Sequence, residues 1–313
     1  MALKMRASVV VASRDRPDEL RACLRSVLQA VSSEDEIIVV DSASADPEAV
    51  RSVALASGAR YVRSQLGGSA RARNLGVQLA RGEFIAFTDD DARVDPGWLK
   101  ALVGGFSNPA VAAVVGPVFE LGKDPPALLL SFMGFDAASD SIGFNRLSPE
   151  WFERTRYGAV GSGANLAVRR SAFARHGLFR GCLGAGAPIS GDENYYILTL
   201  IERGETVINE PTARVHHPQQ PLERRRELYR SRIAYLSYVF LTRPQLRWRL
   251  IVKLVRGSKR QQAPRSKDQP SIMDLTFGLF GTPLLLLAAK RFDRVEIPAG
   301  SAIEPALHKV DTP

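Results

Sequence analysis

The N-terminal half of the chain alternates between two hydrophobic periods. Ala7-Ser-Val-Val-Val-Ala12 is a short continuous apolar run, the pattern of a strand buried on both faces of a parallel sheet. It stops at Ser13-Arg-Asp-Arg-Pro17, where Pro17 takes a first helical position after Asp15 or Arg16. Leu20, Cys23, Leu24, Val27, Leu28 and Val31 then recur at helical spacing and give one apolar face. The cycle repeats. A strand at Glu36–Val40 ends in the turn and capping residues Asp41-Ser-Ala-Ser-Ala-Asp46, and a helix from Pro47 to Ser57 and a strand near Arg60–Val62 follow. Gly67-Gly68-Ser69 opens a helix to about Ala80, and Glu83–Phe87 reads as a strand running into Thr88-Asp89-Asp90-Asp91. Asp95-Pro96 starts a helix carrying Trp98, Leu99, Leu102 and Val103, and Val111–Val115 is one more strand.

Strands alternating with helices predict an α/β fold with a central, mostly parallel sheet flanked by helices. Ligands of such sheets bind at the carboxyl ends of the strands. Arg14, Asp41 and Asp89–Asp91 all fall at strand ends, so three polar clusters are expected in one cleft. Residues 120–190 are less regular, with loops at Asp124-Pro-Pro126 and in the Gly-rich stretch 181–191. A further helix starts at Asp192-Glu193, carries Tyr196, Leu198, Leu200 and Ile201, and ends at Gly204. No internal repeat is evident.

Charge changes this picture at the C-terminus. The 313 residues suit either two domains or one large domain with an appendage, and the net charge of +9 calls for an anionic partner. The surplus is local. Residues 222–267 hold 14 Lys and Arg against Glu223 and Glu227, a net +12, which leaves −3 for the rest. Tyr229, Tyr235, Tyr238, Phe240 and Trp248 lie among these charges. The mixture suits a basic, mainly helical extension, either on an anionic membrane surface or packed on the α/β domain, with nucleic acid the least favoured partner. Leu275–Ala289 is apolar for 15 residues around Pro283. That is short of the ~20 needed to span and suits an interface or a buried hairpin. The expected division is the α/β domain at 1–220 and the extension at 221–313.

Two cysteines, Cys23 and Cys182, exclude a disulfide framework and a cysteine-based zinc site. The run Ala7–Ala12 is too short for a signal-peptide core. The expected location is cytoplasmic, peripheral at the inner face of the cell membrane through residues 222–289.

Asp89-Asp90-Asp91 is the sharpest local feature. Three adjacent carboxylates repel one another, and a divalent cation such as Mg²⁺ or Mn²⁺ offsets that repulsion while bridging to phosphate. A solvated acidic turn before a helix is the plain alternative. The blocks Ala70-Arg-Ala-Arg73-Asn74-Leu-Gly76, Ala80-Arg-Gly-Glu-Phe-Ile-Ala-Phe-Thr-Asp89-Asp-Asp91 and Asp95-Pro-Gly-Trp-Leu99, in this order, resemble family 2 glycosyltransferases over about residues 7–217. The resemblance implies a GT-A fold, a nucleotide-diphosphate sugar donor and a divalent metal at an Asp-x-Asp motif. Ser13 and Arg14 match the nucleotide-contacting turn, and Asp41 matches the acidic residue that recognises base or ribose. Arg73 and Asn74 match the block beside the nucleotide. Asp89 and Asp91 match the Asp-x-Asp ends, with Asp91 the direct metal ligand.

Further positions follow from the same resemblance. Gly161-Ser-Gly-Ala-Asn165-Leu-Ala-Val-Arg-Arg170 is similar to a segment on the far side of the donor site, which puts Asn165 against the substrate; otherwise it is a tight turn into a helix. Gly191-Asp192-Glu193 matches the acidic pair that supplies the base, in reversed order, so that register favours Glu193 and side-chain length Asp192. Both also suit a helix N-terminus. Glu210-Pro-Thr-Ala-Arg-Val-His216-His217 resembles the closing segment, with His217 as metal or phosphate ligand. The implied chemistry is inverting transfer to an acceptor hydroxyl in polysaccharide biosynthesis, on a lipid-linked or cell-envelope glycan. A nucleotidyltransferase is the enzyme rival, but Ser13–Pro17 lacks the glycines of its phosphate loop. An inactive binding or scaffold protein is the other.

Overall fold

The computed structural model describes residues 6–124, 128–130, 142–149, 151–152, 161–219, 231, 234–251 and 303–304. Its strands are β1 (Ala7–Ser13), β2 (Asp35–Ser42), β3 (Arg60–Ser64), β4 (Phe84–Asp89), β5 (Arg93–Val94), β6 (Val111–Val115), β7 (Val118–Glu120), β8 (Leu128–Leu130), β9 (Ile142–Phe144), β10 (Leu166–Arg169), β11 (Thr206–Asn209), β12 (Val215–His217) and β13 (Ile303–Glu304). Its α-helices include α1 (Pro17–Ala30), α2 (Pro47–Ala56), α3 (Ser69–Leu79), α4 (Trp98–Gly104), α5 (Arg170–His176) and α6 (Asp192–Glu202).

Among the described residues, nine strands form one sheet in the order β13-β3-β2-β1-β4-β10-β6-β11-β9. β3, β2, β1 and β4 are mutually parallel. β10 runs antiparallel between β4 and β6, which itself pairs parallel with β11. A smaller sheet, β5-β12-β7-β8, stands beside it. Val9 and Val11 face a core shared with Leu20, Leu24, Trp98 and Leu99. Val10 faces the opposite core with Leu75, Phe87, Tyr196 and Leu198. Alternate residues of one strand thus enter two cores, which is why β1 is apolar throughout.

The expected α/β architecture is observed, with local differences. β4 runs two residues beyond Phe87 to Asp89. α4 starts only at Trp98, because Trp98 N–H closes a turn on the Asp95 carbonyl at 2.9 Å. The segment Gly161–Arg170, read as a donor-site segment or else a tight turn into a helix, contains strand β10, paired between β4 and β6.

Where it is described, the basic stretch packs on the core of the α/β domain. Tyr235, Tyr238, Val239, Leu246 and Leu250 are buried in the same cluster as Tyr195 and Leu198 of α6. The Arg243 guanidinium donates to Glu202 at 2.6 Å and to the Tyr195 hydroxyl at 2.9 Å. Trp248 on the other side is 72% exposed. No helix of the described residues is long and apolar enough to cross a membrane. The apolar stretch 275–289 and most of the basic run lie outside the described residues.

Candidate functional site

The chain steps outward from β1 to β2 and β3, then returns to the other side of β1 with β4. The crevice beyond the carboxyl ends of β1 and β4 is therefore a topological switch point. Ala12 lies opposite Asp89 there, and Ser13 lies opposite Asp41. A cavity of about 510 Å³ fills the crevice, within the size range of small-molecule sites. Ser13, Arg14, Arg73, Asp89, Asp91, Asp192, Glu193 and His217 all line it.

One wall is built from the end of β4 and from β12. The small sheet brings β12 alongside β5 and β7, so that His217 points at the acidic turn after β4. His217 Nε2 is 3.1 Å from Asp91 Oδ1 and 3.7 Å from Asp89 Oδ2. Its Nδ1 lies 2.8 Å from the Pro218 carbonyl. A proton on Nδ1 donated to that carbonyl turns Nε2 toward the carboxylates. Asp89, Asp91 and His217 each offer a ligand atom, all within 4.8 Å of one another. Burial disfavours charge on the imidazole, but the bond to Asp91 and the charges of Asp89 and Asp91 outweigh it and raise its pKa to about 9. Burial also opposes charge on Asp91, and the His217 bond, His217 charge and Arg16 together hold its carboxyl below the usual range. Arg16 donates to Asp91 at 3.0 Å and to Asp90 at 3.3 Å. Asp90 also accepts from the Ser13 hydroxyl at 2.8 Å. Burial exceeds these two contacts and pushes its pKa up to about 6.

The facing wall is the N-terminus of α6. Gly191 caps it at φ +98°, a conformation suited to glycine, and Asp192 and Glu193 occupy its first turn. The helix dipole favours carboxylates at this position. Asp192 is 2% exposed, and Arg73 Nη1 donates to it at 2.7 Å. Burial penalises the Asp192 charge, but Arg73 prevails and holds the pKa below the usual range. Glu193, half-buried on the cavity wall, is pushed well above the usual range by burial, by the Asp192 charge and by its hydrogen bond to Asp192. Arg73 reaches back across the site, its Nη2 donating to Asp89 at 2.9 Å.

Three expected donor contacts are committed elsewhere, and none of them lines the cavity. Asp41 is fully buried and accepts from Ser44 N–H, the Tyr61 hydroxyl and Arg63. The Asn74 side chain bonds both backbone polar groups of Phe179. Asn165, also fully buried, accepts from Trp98 Nε1 at 2.8 Å and donates to the carbonyls of Pro117 and Ala213 at 2.9 and 2.7 Å. It ties β10 to α4 and to the segments before β7 and β12. Arg16 reaches the site without having been expected as a functional residue, and Asp90 joins it as the middle member of the acidic triplet. The alternating charges of Ser13-Arg-Asp-Arg-Pro17 directly after a strand were the available signal.

The profile of the family described as glycosyl transferase family 2 matches residues 8–177, more than half of the chain. A pre-mycofactocin glycosyltransferase of Mycobacterium tuberculosis is 30% identical over 152 residues, 48% of this chain and 30% of that protein. A glucosyl-dolichyl phosphate glucuronosyltransferase of Haloferax volcanii is 28% identical over 156 residues, 48% of this chain and 47% of that protein. The chain thus spans about a third to a half of the length of these curated relatives. Among solved structures, a mannosyltransferase of Pyrobaculum calidifontis in complex with GDP-Man and Mn²⁺ superimposes with a TM-score of 0.54 at 18% identity, covering 93% of this chain and 74% of that one. S. aureus TarS 1-349 in complex with UDP-GlcNAc gives 0.55 at 14% identity, covering 76% and 67%.

Proposed function

Because the chain belongs to glycosyl transferase family 2, we propose that it transfers a sugar from a nucleotide-diphosphate sugar to an acceptor hydroxyl with the help of a divalent cation. The observation that carries this reading is the pairing, across one cavity, of a three-donor cluster with a carboxyl pair at a helix N-terminus. The donor set fits Mg²⁺ or Mn²⁺: two carboxylate oxygens and an imidazole whose other nitrogen is held by a carbonyl. Asp89, Asp91 and His217 would hold the ion, which when bound offsets the negative charge growing on the departing diphosphate. Ser13 and Arg14 contact the nucleotide from the end of β1.

Glu193 takes the proton of the acceptor hydroxyl as its oxygen forms a bond to the anomeric carbon. The bond from that carbon to the diphosphate breaks on the opposite face, so the configuration inverts. A base must enter the step deprotonated, and a proton affinity near the working pH makes it effective. The raised pKa of Glu193 therefore gives an activity that climbs with pH. Asp192, kept ionised by Arg73, sustains that proton affinity and orients Glu193.

The catalytic unit is residues 1–220 and the basic extension residues 221–313. The extension holds the enzyme at the anionic inner face of the cell membrane, where a lipid-linked or envelope glycan accepts the sugar in polysaccharide biosynthesis. Its support is the net +12 of residues 222–267 and the apolar stretch that follows. The catalytic reading is tested by release of nucleoside diphosphate from a panel of UDP- and GDP-sugars, with Mn²⁺ and with chelator, in the wild type and Asp91→Ala. Mn²⁺-dependent release by the wild type alone supports it; release that is equal in chelator or in the variant refutes the metal assignment. Cosedimentation with phosphatidylglycerol vesicles but not with phosphatidylcholine vesicles tests the membrane assignment.

A further inference from the structure

Arg73 lies on α3, a helix buried around nearly its whole circumference, and is itself 7% exposed. Its two terminal nitrogens are used on different walls of the cavity, Nη1 on Asp192 at 2.7 Å and Nη2 on Asp89 at 2.9 Å. Asp192 and Asp89 come from segments more than a hundred residues apart, the start of α6 and the end of β4. Two glycines hold this bridge in place. A side chain at Gly163 would overlap the Arg73 guanidinium, so the turn before β10 backs the guanidinium directly. A Cβ at Gly184, where φ is +101°, would stand 2.8 Å from Asp192 Oδ1, so the following loop packs the carboxylate from its other side.

We infer that Arg73 is a positioning residue that sets the distance between the cation-binding wall and the base-bearing wall, instead of the donor contact expected for it. A planar guanidinium with both ends engaged is a rigid spacer. It fixes the Asp192 carboxylate and, through it, the neighbouring Glu193 relative to Asp89. The inference rests on the transferase reading above for its catalytic consequence, while the bridge itself can be tested without turnover. Arg73 also places one positive charge against Asp89. Removing that charge leaves the carboxylate more attractive to a second cation.

The test compares the wild type with Arg73→Met, Arg73→Lys and Gly163→Ala, each shown to be folded by a cooperative melt. Binding of Mn²⁺ alone, binding of UDP and GDP with Mn²⁺, and turnover of a nucleotide-sugar are measured. Arg73→Met is expected to bind Mn²⁺ severalfold more tightly and to keep nucleotide affinity and donor KM, while kcat falls about 100-fold, the scale of an ångström-level misplacement. Arg73→Lys keeps the charge without the fork, so it leaves Mn²⁺ affinity unchanged and restores part of kcat. Gly163→Ala displaces the guanidinium with every charge intact, so kcat falls at unchanged Mn²⁺ affinity. It carries the test if Arg73→Met does not fold. A raised donor KM with kcat retained would make Arg73 a donor contact and overturn the inference, as would a fall in Mn²⁺ affinity in Arg73→Met. The stated Mn²⁺ responses of the variants, beside a wild type that turns over no donor, would support the bridge and refute the transferase reading.

Discussion

The two walls of the cavity are both acidic, yet the surroundings of Asp91 on one and of Glu193 on the other drive these two carboxyls to opposite states. On the wall formed by β4 and β12, Asp91 is held below the usual carboxylate range by His217 and Arg16. On the wall formed by α6, Glu193 is driven well above it by burial and by the charge of Asp192. Residue type does not explain the difference; burial, together with the balance of cations and carboxylates around each group, does. The first wall has Arg16 and His217 among its acids. The second, among the described residues, has Arg73, shared with Asp89. A carboxylate already surrounded by cations is ready to exchange one of them for a metal. A carboxyl beside an ionised neighbour is ready to hold a proton. Two titratable groups pushed apart in this way mark a division of labour.

The largest expected effect comes from removing the proposed proton acceptor. Glu193→Gln should lower kcat by about a thousand-fold, while affinity for Mn²⁺ with UDP or GDP stays within about threefold, a loss typical of a general base. Steady-state turnover and calorimetry separate the two quantities, and a parallel loss of nucleotide affinity would merge the walls into one binding site. Next, Asp91→Ala should weaken Mn²⁺ by about 100-fold, at the upper end of losses seen for groups that only support a ligand. Unchanged Mn²⁺ titrations would remove the first wall from the metal assignment.

Asn165 gives a contrast to both walls. Asn165→Ala strips partners from the Trp98 indole and two buried carbonyls, and should cost about 2–4 kcal/mol of stability. Denaturant unfolding reads that cost. Activity of the folded fraction should be retained, and loss of donor affinity without loss of stability would return Asn165 to the substrate.

The smallest effect is a pH slope. The folded pKa of His217, about 9, lies above its ordinary 6.5. Its imidazolium therefore stabilises the metal-free protein fully below about pH 6.5, and this contribution is lost as pH rises through about 9. Metal binding needs the neutral ring and releases the proton. Mn²⁺ affinity should rise by up to about tenfold per pH unit below pH 9, and the slope should flatten in His217→Gln. An equal slope in that variant would place the proton on another group.

The parallel half of the sheet was readable because β1, β2 and β4 are buried on both faces and so appear as unbroken apolar runs. β10 was not. Leu166-Ala-Val-Arg169 has four residues, too few to display a period, and it sits between a glycine turn and a helix. Among site residues, Asp89, Asp91, Asp192, Glu193 and His217 stood out through charge at strand and helix ends and through resemblance to a family. The structure collects them around one cavity. Arg16 was hidden in the role of a helix boundary, although its guanidinium turns back to Asp90 and Asp91. Asp41, Asn74 and Asn165 carry donor and acceptor groups equally suited to a ligand or to buried backbone, and burial cannot be read from a single sequence position. The basic run illustrates the same ambiguity. Tyr235 and Tyr238 turned to the core while Trp248 turned to solvent, a partition that depends on the α6 surface beneath them.

The contrast between the walls is tested most directly by titrating the side-chain carboxyls of the metal-free protein with carbon-13 NMR, using Glu193→Gln and Asp91→Asn for assignment. The expected result is one glutamate that keeps its proton well above the usual range and vanishes from the Glu193→Gln spectrum, together with an aspartate titrating below that range that vanishes from Asp91→Asn. A Glu193 that titrates with the surface glutamates would contradict the account.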